Sequence, residues 1–154
     1  MKYIFFLLLL LNLFIGYKSY ITLYQRRRLY SERYAMIIAM SAPFVLAFVT
    51  GLLLSFLIEL SVSYVVMISI VFGICVGISF GAFVKFHSVL AGYFNGIVGA
   101  MMGAMLGAVV KDPTLCGLPA DAAANMILNT TLFSLFGTSL SILTFWFINY
   151  SLKV

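Results

Sequence analysis

The chain has 154 residues, of which 64% are hydrophobic and 8% are charged, and its formal net charge is +5. Soluble domains carry about 25% charged residues, so this composition excludes a water-facing globular domain. The basic residues do not form a patch of the kind that binds nucleic acid, because they separate long apolar runs. The sequence therefore predicts an all-α integral membrane protein in contact with the lipid bilayer, with no nucleic-acid partner.

Five apolar runs follow one another along the chain. A transmembrane helix needs roughly 20 predominantly apolar residues, and each run reaches that length. The expected helices cover residues 3–24, 35–60, 64–84, 88–110 and 122–148. The sequence therefore predicts one transmembrane domain over residues 1–154, a bundle of about five helices.

The first run, residues 3–24, has two interpretations. It begins like the apolar segment of a signal peptide, which would be removed near Ser19. Such a cut would place Tyr17 at the −3 position, where small residues are usual, and the arginines that follow would have to cross the membrane. We expect an uncleaved anchor whose Lys18 extends its amine to the interface, and the sequence leaves cleavage of residues 1–19 open.

The second run contains Pro43, which has no N–H to donate to the Ala39 carbonyl and usually kinks a helix. One interpretation is a single kinked helix through the whole run. In the other, Ser41 caps a new helix with Pro43 in its first turn, and residues 31–40 lie at the membrane interface. The single kinked helix is the expectation, with the second interpretation left open.

The third and fourth runs are separated by only Lys85, Phe86 and His87, which predicts a tight antiparallel hairpin. Residues three or four apart share one face of a helix, and rows of small residues let two transmembrane helices approach closely. Both runs carry such a row of glycines. The sequence therefore predicts a glycine-zipper hairpin whose packing residues are Gly73, Gly77 and Gly81 in the third helix and Gly92, Gly96, Gly99, Gly103 and Gly107 in the fourth.

Methionines accompany the glycines in the fourth run, in the stretch GAMMGAMLGAVV at residues 99–110. Methionine commonly fills irregular apolar gaps. Its thioether is also a soft ligand for Cu(I), so Met101, Met102 and Met105 with Cys75 are candidates for a metal path. No histidine or carboxylate joins them, so we expect methionine to act as filler, and we expect no metal site and no cofactor.

The fifth run is the most polar, and its hydroxyl residues follow helical spacing. They form either a small-residue packing face, since such hydroxyls bond their own backbone, or the lining of a pore or cavity. Asn95 in the fourth run either bonds another helix or lines a wet cavity. The candidates for a polar lining are Asn95, Asn129, Thr130, Ser134, Thr138 and Ser141.

The charges between the runs predict the orientation, because lysine and arginine near helix ends favour the cytoplasm. With the amino terminus outside, most of them lie inside: Arg26, Arg27, Arg28, Arg33, Lys85 and Lys153. Lys2 and Lys111 then lie outside, with Glu59, Asp112 and Asp121, the last of which is placed to cap the fifth helix. The sequence therefore predicts a multi-pass cell-membrane protein with a cytoplasmic carboxyl terminus.

No catalytic motif accompanies these features, since the chain has no His-Glu-x-x-His, no Gly-x-Ser-x-Gly and no phosphate loop. We therefore expect no enzyme. The polar fifth run, Asn95 and Pro43 favour a transport or channel protein that moves an ion, a metal or a small solute. The alternative is a non-catalytic accessory or assembly subunit of a membrane complex. Its glycine faces would hold it to further copies of itself or to other membrane subunits.

Overall fold

The computed structural model describes residues 2–26, 32–58, 61–82, 86–113, 117 and 126–151. Within these ranges the protein is all-helical, without strands, and its five helices are each long and apolar enough to cross a membrane. They are α1 (Lys2–Arg26), α2 (Glu32–Leu57), α3 (Val62–Gly81), α4 (Phe86–Lys111) and α5 (Met126–Ser151). The predictions for Arg27, Arg28, Glu59, Lys85, Asp121 and Lys153 fall outside the described residues.

The second helix, α2, is the centre of the bundle and contacts all four other helices. In its apolar stretch 67% of the residues are buried, against 22% in α1 and in α3. It continues through Pro43 as one helix, and Ser41 donates to the Ile37 carbonyl one turn earlier in the same helix (2.9 Å). This arrangement corresponds to the single-helix interpretation of the second run.

Helices α1 and α5 both pack against α2 through side chains, and both run antiparallel to it. The Phe5 ring lies 5.6 Å from the ring of Phe56, while Leu23 at the other end of α1 packs near the start of α2. From α5, Gly137 faces Val49, and the Tyr34 hydroxyl donates to the Ile148 carbonyl at 3.2 Å. Helices α1 and α5 are therefore parallel neighbours on one side of α2.

Helices α3 and α4 meet backbone to backbone at their glycines. Gly73 faces the Gly96 carbonyl and Gly77 faces the Gly92 carbonyl, so closely that a methyl group added at any of these four positions would overlap the opposite backbone. Only hydrogen fits there, because a backbone carbonyl cannot turn aside as a flexible side chain can.

The other glycines of α4 face α2. A methyl group at Gly99 or Gly103 would overlap the backbone of Phe44 or Phe48, respectively. The glycine row of α4 is thus divided between two neighbouring helices, and its contact with α2 adds to the hairpin that the sequence predicts. Helices α2, α3 and α4 together form the most closely packed part of the molecule.

Polar groups join α2 to α4 at the end of this unit. The Ser55 hydroxyl lies within hydrogen-bonding distance of the carbonyl oxygens of Gly51 (3.1 Å) and Ala104 (3.0 Å). The Lys111 ammonium donates to the carbonyls of Ser55 (2.9 Å) and Ile58 (3.2 Å). A cation at the carboxyl end of a helix is favoured by the helix dipole, so Lys111 stabilises the end of α2.

Candidate functional site

The hydroxyl residues of α5 lie on its buried face. Thr130, Ser134, Thr138 and Ser141 are each less than a tenth exposed. Each hydroxyl donates to a carbonyl three or four residues earlier in α5, at 2.8 to 3.0 Å. Their hydrogens are therefore used within the helix, while the oxygen lone pairs can still accept a hydrogen bond from a neighbour.

Two further hydroxyls of α5 provide a comparison. Thr131 and Ser139 donate to their own helix in the same way, at 2.8 Å to the carbonyls of Ile127 and Phe136. Ser139 is exposed and Thr131 is half-buried, and both hydrogen bonds are exposed. The difference between the two sets is therefore their surroundings and not their local hydrogen bonding.

Helix α2 contributes Thr50, a buried hydroxyl residue that is 2% exposed. Its hydroxyl donates within α2, to the carbonyls of Leu46 (2.7 Å) and Ala47 (3.0 Å). Thr50 follows Val49, which faces Gly137 of α5, and Gly137 precedes Thr138. Thr50 and Thr138 are thus at one level of the bundle.

Helix α1 contributes Asn12, which the sequence analysis does not identify as a candidate. Asn12 is fully buried, and neither its Oδ1 nor its Nδ2 has a hydrogen-bond partner among the described residues. It lies one helical turn before Gly16, which packs against Leu46, and Thr50 lies one turn after Leu46. Because α1 and α2 are antiparallel, Asn12 is at the level of Thr50.

We call Asn12, Thr50 and Thr138, with Ser134 and Ser141 one turn to either side, the polar layer. A buried amide without a partner costs about 1–3 kcal/mol, and in native structures such a group generally has a water, an ion or a functional role as its explanation. A signal for Asn12 does exist in the sequence. Asn12, Gly16 and Ser19 recur at helical spacing on one face of an otherwise bulky apolar helix, and all three are buried.

The chemistry of the polar layer is that of neutral oxygen and amide groups. Among the residues whose burial the structure describes, no buried side chain is charged, and the described residues contain no group of three histidine, cysteine or acidic side chains that could hold a metal ion. Sites for divalent metals in proteins generally include carboxylate, imidazole or thiolate ligands. Amide and hydroxyl groups suit a small hydrogen-bonding solute, water or a singly charged ion.

Asn95 lies away from the polar layer. It is half-buried, donates to the Ala91 carbonyl (2.9 Å) and lines an open groove of about 410 Å³ between α4 and α2. The α2 side of this groove is formed by Ile37, Met40, Ser41, Phe44 and Val45. Asn129 is half-buried in α5, next to Thr130. The structure thus does not bring Asn95 together with the hydroxyl row of α5.

The methionines of the fourth helix lie on its outer surface. Met101, Met102 and Met105 are 40%, 54% and 57% exposed, and Cys75 of α3 is exposed as well. His87, at the start of α4, is also exposed. The thioethers therefore face the surroundings of the bundle and not the polar layer.

Comparison of the chain with models of known families, with curated proteins and with solved structures finds no match. The polar layer and the surfaces of the five helices are therefore the features of this chain that bear on its function.

Proposed function

We propose that this chain is a small polytopic membrane protein of transport or channel type, in which the polar layer forms part of the solute path. The observation that carries this proposal is Asn12, a fully buried amide in the middle of an apolar helix, with no hydrogen-bond partner among the described residues. A polar group at membrane depth is expensive and generally functional. A solute or water that passes through the layer would supply the hydrogen bonds that Asn12 lacks.

The proposed substrate class follows from the groups present. An amide donor, an amide acceptor and hydroxyl oxygens match a small uncharged solute or a singly charged ion that exchanges its hydration shell for neutral oxygens. Of the predicted substrates, these groups therefore favour an ion or a small solute over a transition metal. The path would lie between α1, α2 and α5.

The closely packed glycines between α3 and α4, which correspond to the glycine zipper of the sequence analysis, support the proposal, because with the contact of α4 on α2 they would provide a rigid frame. Helices α1 and α5 pack on this frame through side chains. Side chains can change their packing more easily than two backbones in direct contact can. In the proposed membrane orientation the amino terminus is outside and the carboxyl terminus is in the cytoplasm. Movement of α1 or α5 against α2 would then open the polar layer to either side.

The proposal is tested by flux into proteoliposomes that contain the purified protein. Swelling with small neutral solutes and uptake of K⁺ and Na⁺ are measured for the parent and for the double variant Thr138→Val, Ser141→Ala. The double variant removes two oxygens of the layer, and we expect flux to fall by roughly tenfold or more, since tenfold corresponds to about 1.4 kcal/mol.

The matched control is Thr131→Val, Ser139→Ala, which removes the same groups from less buried positions of α5 and should retain parental flux. Flux that is equal in both double variants would contradict the proposed path. Absence of flux in the parent, together with stoichiometric co-purification of another membrane protein from native membranes, would instead support the accessory-subunit alternative.

A further inference from the structure

One row of α4, half-buried at its start and exposed beyond it, has the spacing of a helix-pairing seam. Ala91, Asn95, Val98, Met102 and Met105 follow one another at intervals of four, three, four and three residues. The mean interval of 3.5 is that of the a and d positions of a coiled coil. Val98, Met102 and Met105 are 43%, 54% and 57% exposed, whereas Ala91 and Asn95 are half-buried, so the described helices of this chain leave most of the row open.

The only polar side chain of this row is Asn95. Within the described residues it makes one hydrogen bond, from Nδ2 to the Ala91 carbonyl, which leaves its second N–H and its carbonyl oxygen for another partner. Acyl chains offer neither a donor nor an acceptor, so an amide facing lipid is unfavourable. An occupant of this surface that supplies hydrogen-bonding groups would satisfy the rest of the Asn95 amide.

We propose that the row formed by Ala91, Asn95, Val98, Met102 and Met105 is the interface of a symmetric dimer, in which two Asn95 amides bond each other across a two-fold axis. An amide is self-complementary, because its N–H can donate to the carbonyl oxygen of an identical group. This proposal does not depend on transport through the polar layer.

A second copy of this chain fits the row because both copies enter the membrane in the same way. Copies of one chain enter the membrane in the same orientation, so their α4 helices are parallel and the two-fold axis runs along the membrane normal. In parallel coiled coils a single asparagine at a seam position fixes the register and the number of helices. The groove beside Asn95, bounded by Met40 and Phe44, leaves space for side chains of the partner helix.

The test is disulfide formation in native membranes, in a chain carrying Cys75→Ser and Cys116→Ser. Met102→Cys places a thiol in the seam. Met101→Cys is the matched control, because Met101 has the same membrane depth and is also exposed but lies outside the seam. We expect oxidation to convert most of the Met102→Cys protein to dimer and little of the Met101→Cys protein. Equal cross-linking of both, or of neither, would overturn the proposal.

A second measurement isolates the amide. Subunits labelled with a fluorophore are counted in lipid at increasing dilution for the parent, Asn95→Leu and Asn95→Gln. Hydrogen bonds between transmembrane helices are modest, so we expect Asn95→Leu to weaken dimerisation by roughly 3- to 30-fold and Asn95→Gln to retain most of it. A dimer equally stable in Asn95→Leu would show that Asn95 does not hold the interface.

Discussion

At the scale of single residues, the position of a polar group matters more than its identity. Asn95 and Asn149 each donate to a carbonyl of their own helix, at 2.9 Å, and both are half-buried. Asn12 makes no hydrogen bond among the described residues and is fully buried. Of the three asparagines, Asn12 therefore carries the largest desolvation penalty. The simplest reason for a chain to keep a residue that lowers its stability is that the residue has a role in function.

We predict that Asn12→Leu stabilises the protein while it reduces flux. Leucine has a similar volume and needs no hydrogen bond, so the free energy of unfolding should rise by about 1–3 kcal/mol, the penalty of the unpaired amide. Thermal unfolding in detergent measures this change, and the flux assay measures the loss. Asn149→Leu is the control and should change both little. A less stable Asn12→Leu protein would mean that the amide has a stabilising partner.

At the scale of helices, the contacts divide into two kinds. Helices α2, α3 and α4 contact one another backbone to backbone at their glycines, which have no side chain. Helices α1 and α5 instead contact α2 through side chains such as Phe5, Leu23 and Phe145. In lipid there is no hydrophobic reason for helices to associate, so close van der Waals contact between backbones is a main source of stability. The backbone contacts between α2, α3 and α4 should therefore tolerate added side-chain volume less well than the side-chain contacts of α1 and α5.

Two glycine-to-alanine substitutions test this difference. A methyl group at Gly77 would overlap the Gly92 carbonyl, whereas one at Gly137 would lie 3.6 Å from the methyl groups of Val49, an ordinary contact. We predict that Gly77→Ala lowers the free energy of unfolding by about 1–3 kcal/mol, as overpacking does. Gly137→Ala should be neutral or stabilising by up to about 1 kcal/mol, through helix propensity. Equal unfolding temperatures for the two variants would refute the predicted difference.

At the scale of the whole molecule, the sequence predicts the helices better than their arrangement. A chain in lipid must satisfy its backbone internally, so long apolar runs become helices, and the five described helices lie within a few residues of the predicted ranges. The burial of Asn12 and the division of the α4 glycines between α2 and α3 depend on how each helix is rotated against its neighbours. One asparagine in an apolar run has the same local pattern whether it faces lipid or another helix.

Orientation is a further property of the whole molecule. Five spans and the basic residues near the helix ends predict an external amino terminus and a cytoplasmic carboxyl terminus. We therefore expect a reporter fused after Val154 to be active in the cytoplasm, and a reporter fused before Met1 to be active only outside. A carboxyl-terminal reporter that is active outside would exclude the five-span arrangement.

The access of water to the polar layer is the most direct test of the account. In a chain carrying Cys75→Ser and Cys116→Ser, Thr138→Cys places a thiol in the layer. Leu135→Cys places one on the outer side of α5, where Leu135 is 56% exposed. Reaction requires the thiolate, which forms only where water reaches. With a small membrane-impermeant thiosulfonate we predict labelling of Thr138→Cys and none of Leu135→Cys. No labelling of Thr138→Cys would contradict a solute path between α1, α2 and α5.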